Sequence, residues 1–289
     1  TKDRMRMQSN FSSLCRGYII PKEVNKDMAL RFLEAVGQFE RIMNDSGFIT
    51  LTRLAVPEIT GQDGKAGIIE KYFSLSQTDT TCLKDIGLYP EEMRVGDDIL
   101  CLHTLSDVED LPGKVGTDTR FEKLSTDRSD CRLSFAAPVG VLLSCNHVYN
   151  QYIFIDDHAE NLKNFEQTAR NMQSLSRYSR ANQVNKEWID EYLNEAHSKG
   201  LVSVRCHCNV MAWSDDRDEL KRIRNDVGSQ LALMECKPRH NTVDTPTLFW
   251  AGIPGNEADF PAEESFYTFL AQALCLFVEE TNYKSSLSP

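Results

Sequence analysis

The chain has 289 residues, 41% of them hydrophobic, with nine cysteines and a formal net charge of −11 at pH 7. That hydrophobic content excludes a mainly disordered chain, and the length allows one large domain or two ordinary ones. The acidic balance argues against wholesale coating of nucleic acid, and no apolar run approaches the ~20 residues that span a bilayer.

In chain order, Arg16 to Ile20 reads as a strand. Apolar positions Leu30, Leu33, Val36 and Ile42 then predict a helix from Asn25 to Asn44, ended by Asp45, Ser46 and Gly47. Phe48 to Val56 returns as a strand. A polar turn from Gly61 to Gly67 leads to a short amphipathic helix through Ile68, Ile69, Tyr72 and Phe73, and Asp97 to Leu105 is the next strand. Ser106 to Asp130 is rich in turn formers and poor in periodic apolar positions, which marks it as a linker or mobile loop and the least ordered internal segment. It suggests two subdomains, residues 1–125 and 126–289.

Leu133 to Ile155 reads as two strands around a short turn, interrupted at Pro138 and at Asn146-His147, which favours an antiparallel pair. Asp157 and Glu160 start a helix carrying Leu162, Phe165, Ala169, Met172 and Leu175. A polar stretch, Ser176 to Asn185, precedes a helix from Lys186 to Ser198 that Gly200 closes. Val202 to Trp213 is a strand. Ser214, Asp215 and Asp216 start a helix with Leu220, Ile223, Val227 and Leu231 inward. Thr247 to Ile253 reads as the last strand, Pro254-Gly255 as a tight turn, and Glu263 to Glu279 as a final helix behind Pro261. The sum is an α+β fold, with mixed, largely antiparallel sheets and helices packed on one face.

The chemistry-bearing patterns are sparse. No G-x-x-x-x-G-K-[ST] occurs, and the run from Gly61 through Lys65 to Gly67 lacks the spacing and hydroxyl of a phosphate loop and reads as a turn. No cofactor is therefore expected on this chain, and ATP should be neither bound nor hydrolysed. The cysteines sit in apolar strings and none forms a C-x-x-C pair, as buried free thiols do. Cys206, His207 and Cys208, with Cys236 and His240 further on, are the nearest approach to a zinc pattern. On a strand, however, Cys206 and Cys208 share a face and His207 points away, so core packing is the preferred reading. His147 reads as a structural histidine. Asp107, Glu109 and Asp110 lack calcium-loop spacing and read as a solvated loop. Asp215, Asp216, Asp218 and Glu219 fit a helix N-terminus.

Two surfaces stand out as contacts for partners. Arg170, Arg177, Tyr178, Arg180 and Lys186 make a local basic strip with one aromatic. It suits a phosphate backbone, an anionic head group or an acidic partner, and its alternative is a solvated helix connection. Leu274, Leu276, Phe277 and Val278 make the final helix apolar around much of its circumference. That predicts an exposed patch there, with self-association through Phe277.

Several strings carry a family resemblance: Leu14–Glu23 (LCRGYIIPKE), Gln38–Gly47 (QFERIMNDSG), His103–Pro112 (HTLSDVEDLP) and Leu124–Phe135 (LSTDRSDCRLSF). So do Ser174–Arg180, Asn185–Glu191, Met211–Asp216, Gly255–Phe266 (GNEADFPAEESF) and Glu279–Pro289 (EETNYKSSLSP). From roughly residue 10 onward, the chain resembles the TraG-family conjugation ATPases of conjugative transposons, relatives of the VirB-type ATPases of type IV secretion. The resemblance implies an N-terminal region that stops shortly before the phosphate loop, with further sequence upstream of Thr1. It implies that ATP and Mg²⁺ belong to a C-terminal domain not present here. It also implies attachment to inner-membrane proteins of the conjugation channel, on the cytoplasmic face of a bacterial membrane. Three classes follow: a docking and assembly module of that machine, a nucleic-acid-binding module of it, and an enzyme in its own right. The lack of a catalytic constellation ranks the enzyme last.

Overall fold

The structure is a computed structural model and describes residues 26–47, 50–76, 84–175, 178–256 and 259–277. It opens with helices α1 (Lys26–Asp45), α2 (Val56–Thr60) and α3 (Ile68–Ser74). Three strands follow, β1 (Ile86–Leu88), β2 (Met93–Val95) and β3 (Asp98–Leu105), and then the small hairpin of β4 (Thr119–Arg120) and β5 (Arg132–Leu133). Next come α4 (Ala137–Val141), β6 (His147–Phe154), the antiparallel pair α5 (His158–Leu175) and α6 (Arg180–Lys199), and β7 (Ser203–Ser214). The chain continues through α7 (Arg217–Leu233), β8 (Arg239–Asn241), α8 (Thr245–Ala251), β9 (Phe266–Phe269) and α9 (Leu270–Leu274).

Seven of these strands form one sheet in the order β1-β2-β3-β7-β6, with β8 also on β3 and β9 also on β7. Every pairing in it is antiparallel. The α+β class therefore stands as read. Strands from both sides of residue 125 share the sheet, since β3 pairs along β7 with Cys101 opposite Ala212.

The central strand is the 12-residue β7, buried along nearly its whole length. Side chains alternate across a strand, so a strand buried on both faces needs apolar cover on both. Val204, Cys206, Cys208, Val210 and Ala212 meet Ile223, Val227 and Leu231 of α7 on one face. Met211 and Trp213 meet Leu102, Tyr152, Leu248, Phe249 and the partly buried Tyr72 and Phe73 on the other. Helices thus cover both faces rather than one. The α5–α6 pair seats only its base, where Leu162, Leu193 and Ala196 pack with Phe269.

Local signals explain several boundaries. Asp157 Oδ1 accepts from the amides of Ala159 and Glu160, at 2.9 and 3.1 Å, and so starts α5 as its sequence pattern predicts. Asp216 caps α7 by accepting from the Asp218 amide. Gly255 has φ +91° and Asn256 N donates to Ile253 O at 2.9 Å, which is the turn expected at Pro254-Gly255. The turn before α3 is closed by paired bonds between Gln62 and Lys65. Beside it two backbones nearly touch: a Cβ on Gly67 would lie 2.2 Å from Gly61 N and 2.4 Å from Ile59 O. Gly67→Ala should therefore cost about 1–3 kcal/mol in urea unfolding. Unchanged stability would show that this approach is looser.

Five further sequence expectations are corrected, and a sixth, the strand at Arg16 to Ile20, lies outside the described residues. Of the strand expected at Phe48 to Val56, residues 50–55 hold no regular element and Val56 starts a helix; residues 48 and 49 lie outside the described residues. Between Leu133 and Ile155 there is one long strand, because Pro138 sits in the first turn of α4, where its missing amide costs nothing. The polar stretch before Lys186 is helical from Arg180 onward. Thr247 to Ile253 is not a strand: Thr245–Ala251 is helical, begun by Pro246 in its first turn and an Asn241–Asp244 side-chain turn. Glu263 to Glu279 is not one helix. Phe266–Phe269 pairs with residues 206–203 of β7, and only Leu270–Leu274 is α-helical. Ser106 to Asp130 holds a 3-10 turn, Val108–Asp110, and β4, and it has anchors: Asp110 and Phe121 are buried, and Asp110 accepts from the amides of Ser106 and Asp107 and from Arg239 Nε.

Candidate functional site

The 20-residue helix α1 carries large apolar side chains that stand in solvent. Leu30, Leu33, Phe39 and Ile42 are 51%, 52%, 49% and 67% exposed. At its C-terminal end, Arg53 Nε donates to Glu40 at 2.6 Å, and Asn44 bonds both backbone groups of Leu51. The Arg53 guanidinium holds the Glu40 carboxyl below its ordinary pKa. In the sequence, Leu30, Leu33, Val36 and Ile42 serve only to place the helix and carry no surface role. Phe39 and Ile42, three apart and so about 60° apart around the helix, form one exposed apolar patch, while Leu30 and Leu33 lie toward its other side. An exposed apolar patch is the usual mark of a contact for another macromolecule.

The basic strip falls at the far end of the α5–α6 pair, away from its packed base. Tyr178 is in solvent at 86% exposure; Leu175, whose carbonyl accepts from the Tyr178 amide, and Trp188, further along α6, are half exposed. Arg170 lies 3.6 Å from Glu166, and Lys186 donates to Asp190 at 2.5 Å, so two of its cations are already partnered. Arg180 opens α6 and is exposed; Arg177 lies outside the described residues. The structure thus brings an aromatic and one cation together at the tip, while Arg170 and Lys186 serve intrahelical pairs.

The C-terminal patch is smaller than expected. Ala273, Cys275 and Leu276 are buried, leaving Leu274 exposed and Phe277 half-buried. Side chains of β6 hold this segment down: Tyr149 Oη donates to the Leu276 carbonyl at 2.8 Å, and Gln151 Nε2 donates to that of Ala273 at 2.7 Å.

Two histidine settings deserve separation. His207 is fully buried; its Nδ1–H donates to the Glu264 carbonyl at 2.6 Å, and its Nε2 accepts from Asn209 Nδ2 at 3.0 Å. Asn209 Oδ1 accepts in turn from Asn150 Nδ2 at 3.0 Å, completing a polar chain between two strands and the C-terminal segment. Burial drives the His207 pKa down to about 4, which keeps the ring neutral and fixes this tautomer. It is a structural group. His103 is buried too, with its ring 5.5 Å from that of His240 and its Nδ1 3.8 Å from Cys101 Sγ. Burial, and then the charges of His240 and Arg224, push its pKa down to about 4.

Cys206 and Cys208 point into the same apolar cluster as Cys236, and burial pushes the Cys236 thiol up to about 12. His207 lies on the opposite face, as its strand position requires. Among the described residues, no group of three or more His, Cys, Asp or Glu is arranged to hold a metal ion, and the seven cysteines there are free thiols. No helix among them is long and apolar enough to cross a membrane. A comparison with protein-family models finds none that matches the chain, and a comparison with curated proteins finds no match.

Proposed function

We propose that this chain is a non-catalytic docking and assembly region of a conjugative DNA-transfer ATPase, and that it attaches the motor to inner-membrane proteins of the channel. The observation that carries the docking reading is the exposed apolar patch of Phe39 and Ile42 on α1, with Leu30 and Leu33 of the same helix also about half exposed. The TraG-like strings supply the machine. In this reading the protein works at the cytoplasmic side of a bacterial inner membrane, and ATP and Mg²⁺ are held by a C-terminal domain beyond this sequence.

Co-purification with detergent-extracted inner-membrane components of a conjugation channel tests it. The chain should be retained, and Phe39→Ser with Ile42→Ser should abolish retention. Stability should change by no more than about 0.5 kcal/mol, because these side chains lie on the surface. Equal retention of the double variant would reject α1 as the contact. The exposed pair Tyr178 and Arg180 supports a second reading, contact with single-stranded DNA. Its signature is binding that falls steeply with salt and is lost in Tyr178→Ala.

A further inference from the structure

A cleft of about 290 Å³ opens between α7 and the sheet, lined by Glu91, Glu92, Arg217, Lys221, Arg224, His240 and Thr242, among others. Its charge is uneven, with both carboxylates contributed by the β1–β2 turn. Arg217, Lys221 and Arg224 recur at helical spacing along one face of α7, so the first and last lie about 10 Å apart at 1.5 Å per residue. At the Arg217 end, Glu92 is 3.0 Å from Arg217 and is also paired with Arg94; both cations hold its carboxyl ionised. That end is electrically satisfied. Lys221 is 3.0 Å from Asp218.

The Arg224 end is different. Among the described residues Arg224 makes no ion pair, although the chain carries 43 acidic residues. What surrounds it is a thiol, Cys101, and two imidazoles, His103 and His240, and its charge acts against protonation of both rings. An exposed guanidinium set against neutral bases, at one end of a cleft whose other end is neutralised, lacks an anion and has the planar donors to hold one bidentately. His240, Asn241 and Thr242 add polar groups around that position. The volume is at the small end of ligand clefts, enough for a phosphate group with a modest organic body.

We propose that this cleft binds a small phosphate-bearing ligand, with Arg224 as its main contact and Lys221, His240 and Thr242 beside it. The site stands apart from α1 and does not depend on the docking reading.

The test is NMR of the histidine ring protons in the full chain, titrated with inorganic phosphate against sodium chloride of matched ionic strength. Phosphate should shift the His240 signal saturably and raise its pKa by about one unit, because the bound anion offsets the guanidinium. Arg224→Gln should weaken phosphate binding about tenfold or more, and Lys221→Gln by a smaller factor. Arg222→Gln, one position off the lining on the same helix, should leave it unchanged. A His240 response that persists in Arg224→Gln, falls equally in Arg222→Gln, or never saturates would overturn the proposal. If Arg224→Gln fails to fold, Lys221→Gln decides alone, and full affinity in it counts against the site.

Discussion

Phe249→Ala is expected to lower the unfolding free energy by about 3–5 kcal/mol, enough to leave a marginal domain largely unfolded. Phe249 is 1% exposed in the cluster with Leu102, Met211 and Trp213. Its ring centroid is 5.0 Å from that of Tyr72 and 6.3 Å from that of Phe73, and its carbonyl accepts from Tyr72 Oη at 2.8 Å. Truncation removes the aromatic that ties α3 to α8 and to the sheet beneath. Neighbouring Trp250 is 41% exposed, so Trp250→Ala should cost clearly less. Urea unfolding of the two variants checks this packing, and a larger loss at Trp250 would invert it.

Acidification should have the second large effect. His103 and His207 have folded pKa values of about 4, well below the ordinary histidine value. The unfolded chain therefore takes up protons first as pH falls. The stability these rings contribute is complete above about pH 6.5 and is lost between there and about pH 4. A shift of about 2.5 units corresponds to roughly 3 kcal/mol for each ring. His103 faces His240 and Arg224, and His207 faces the Glu264 carbonyl, Asn209 and two aromatic rings, so no carboxylate charge rescues either cation. His240 shifts in the same direction. Glu92 is also depressed, but its contribution is lost only below the ordinary carboxylate range, so the two windows separate. Urea midpoints at about pH 7 and about pH 4.5 should differ strongly, and His207→Gln should remove part of the difference. A flat profile across that window would show that both rings protonate freely in the folded state.

Long elements were legible because their periods run long enough to declare themselves. β7 shows Cys206 and Cys208 on one face and His207 on the other, and α7 places Leu220, Ile223, Val227 and Leu231 inward, all as the pattern requires. The stretch from Thr245 to Leu274 was misread because its elements are four to seven residues long. Over that span an apolar run fits a strand and a helix equally. Pairing with β7, a tertiary choice, made Phe266–Phe269 a strand. The anchoring of Ser106 to Asp130 rests on two residues, Asp110 and Phe121, too few to make a periodic signal. Of the surfaces, the basic strip was visible as composition, but its ion pairs with Glu166 and Asp190 were not. The apolar positions of α1 were equally visible. Their exposure is a property of how the chain packs, and no local pattern encodes it. The phosphate cleft draws on Glu92, Arg224 and His240, three segments that only the sheet brings together.

Docking through α1 is the central claim, and photo-crosslinking in a working conjugation apparatus tests it most directly. A photoreactive residue placed at Ile42, in the full-length parent protein, should form an adduct with an inner-membrane channel component. The same probe at Val243, which is 80% exposed but far from α1 in sequence and not part of its face, should not. An adduct at Val243 with none at Ile42 would contradict the account.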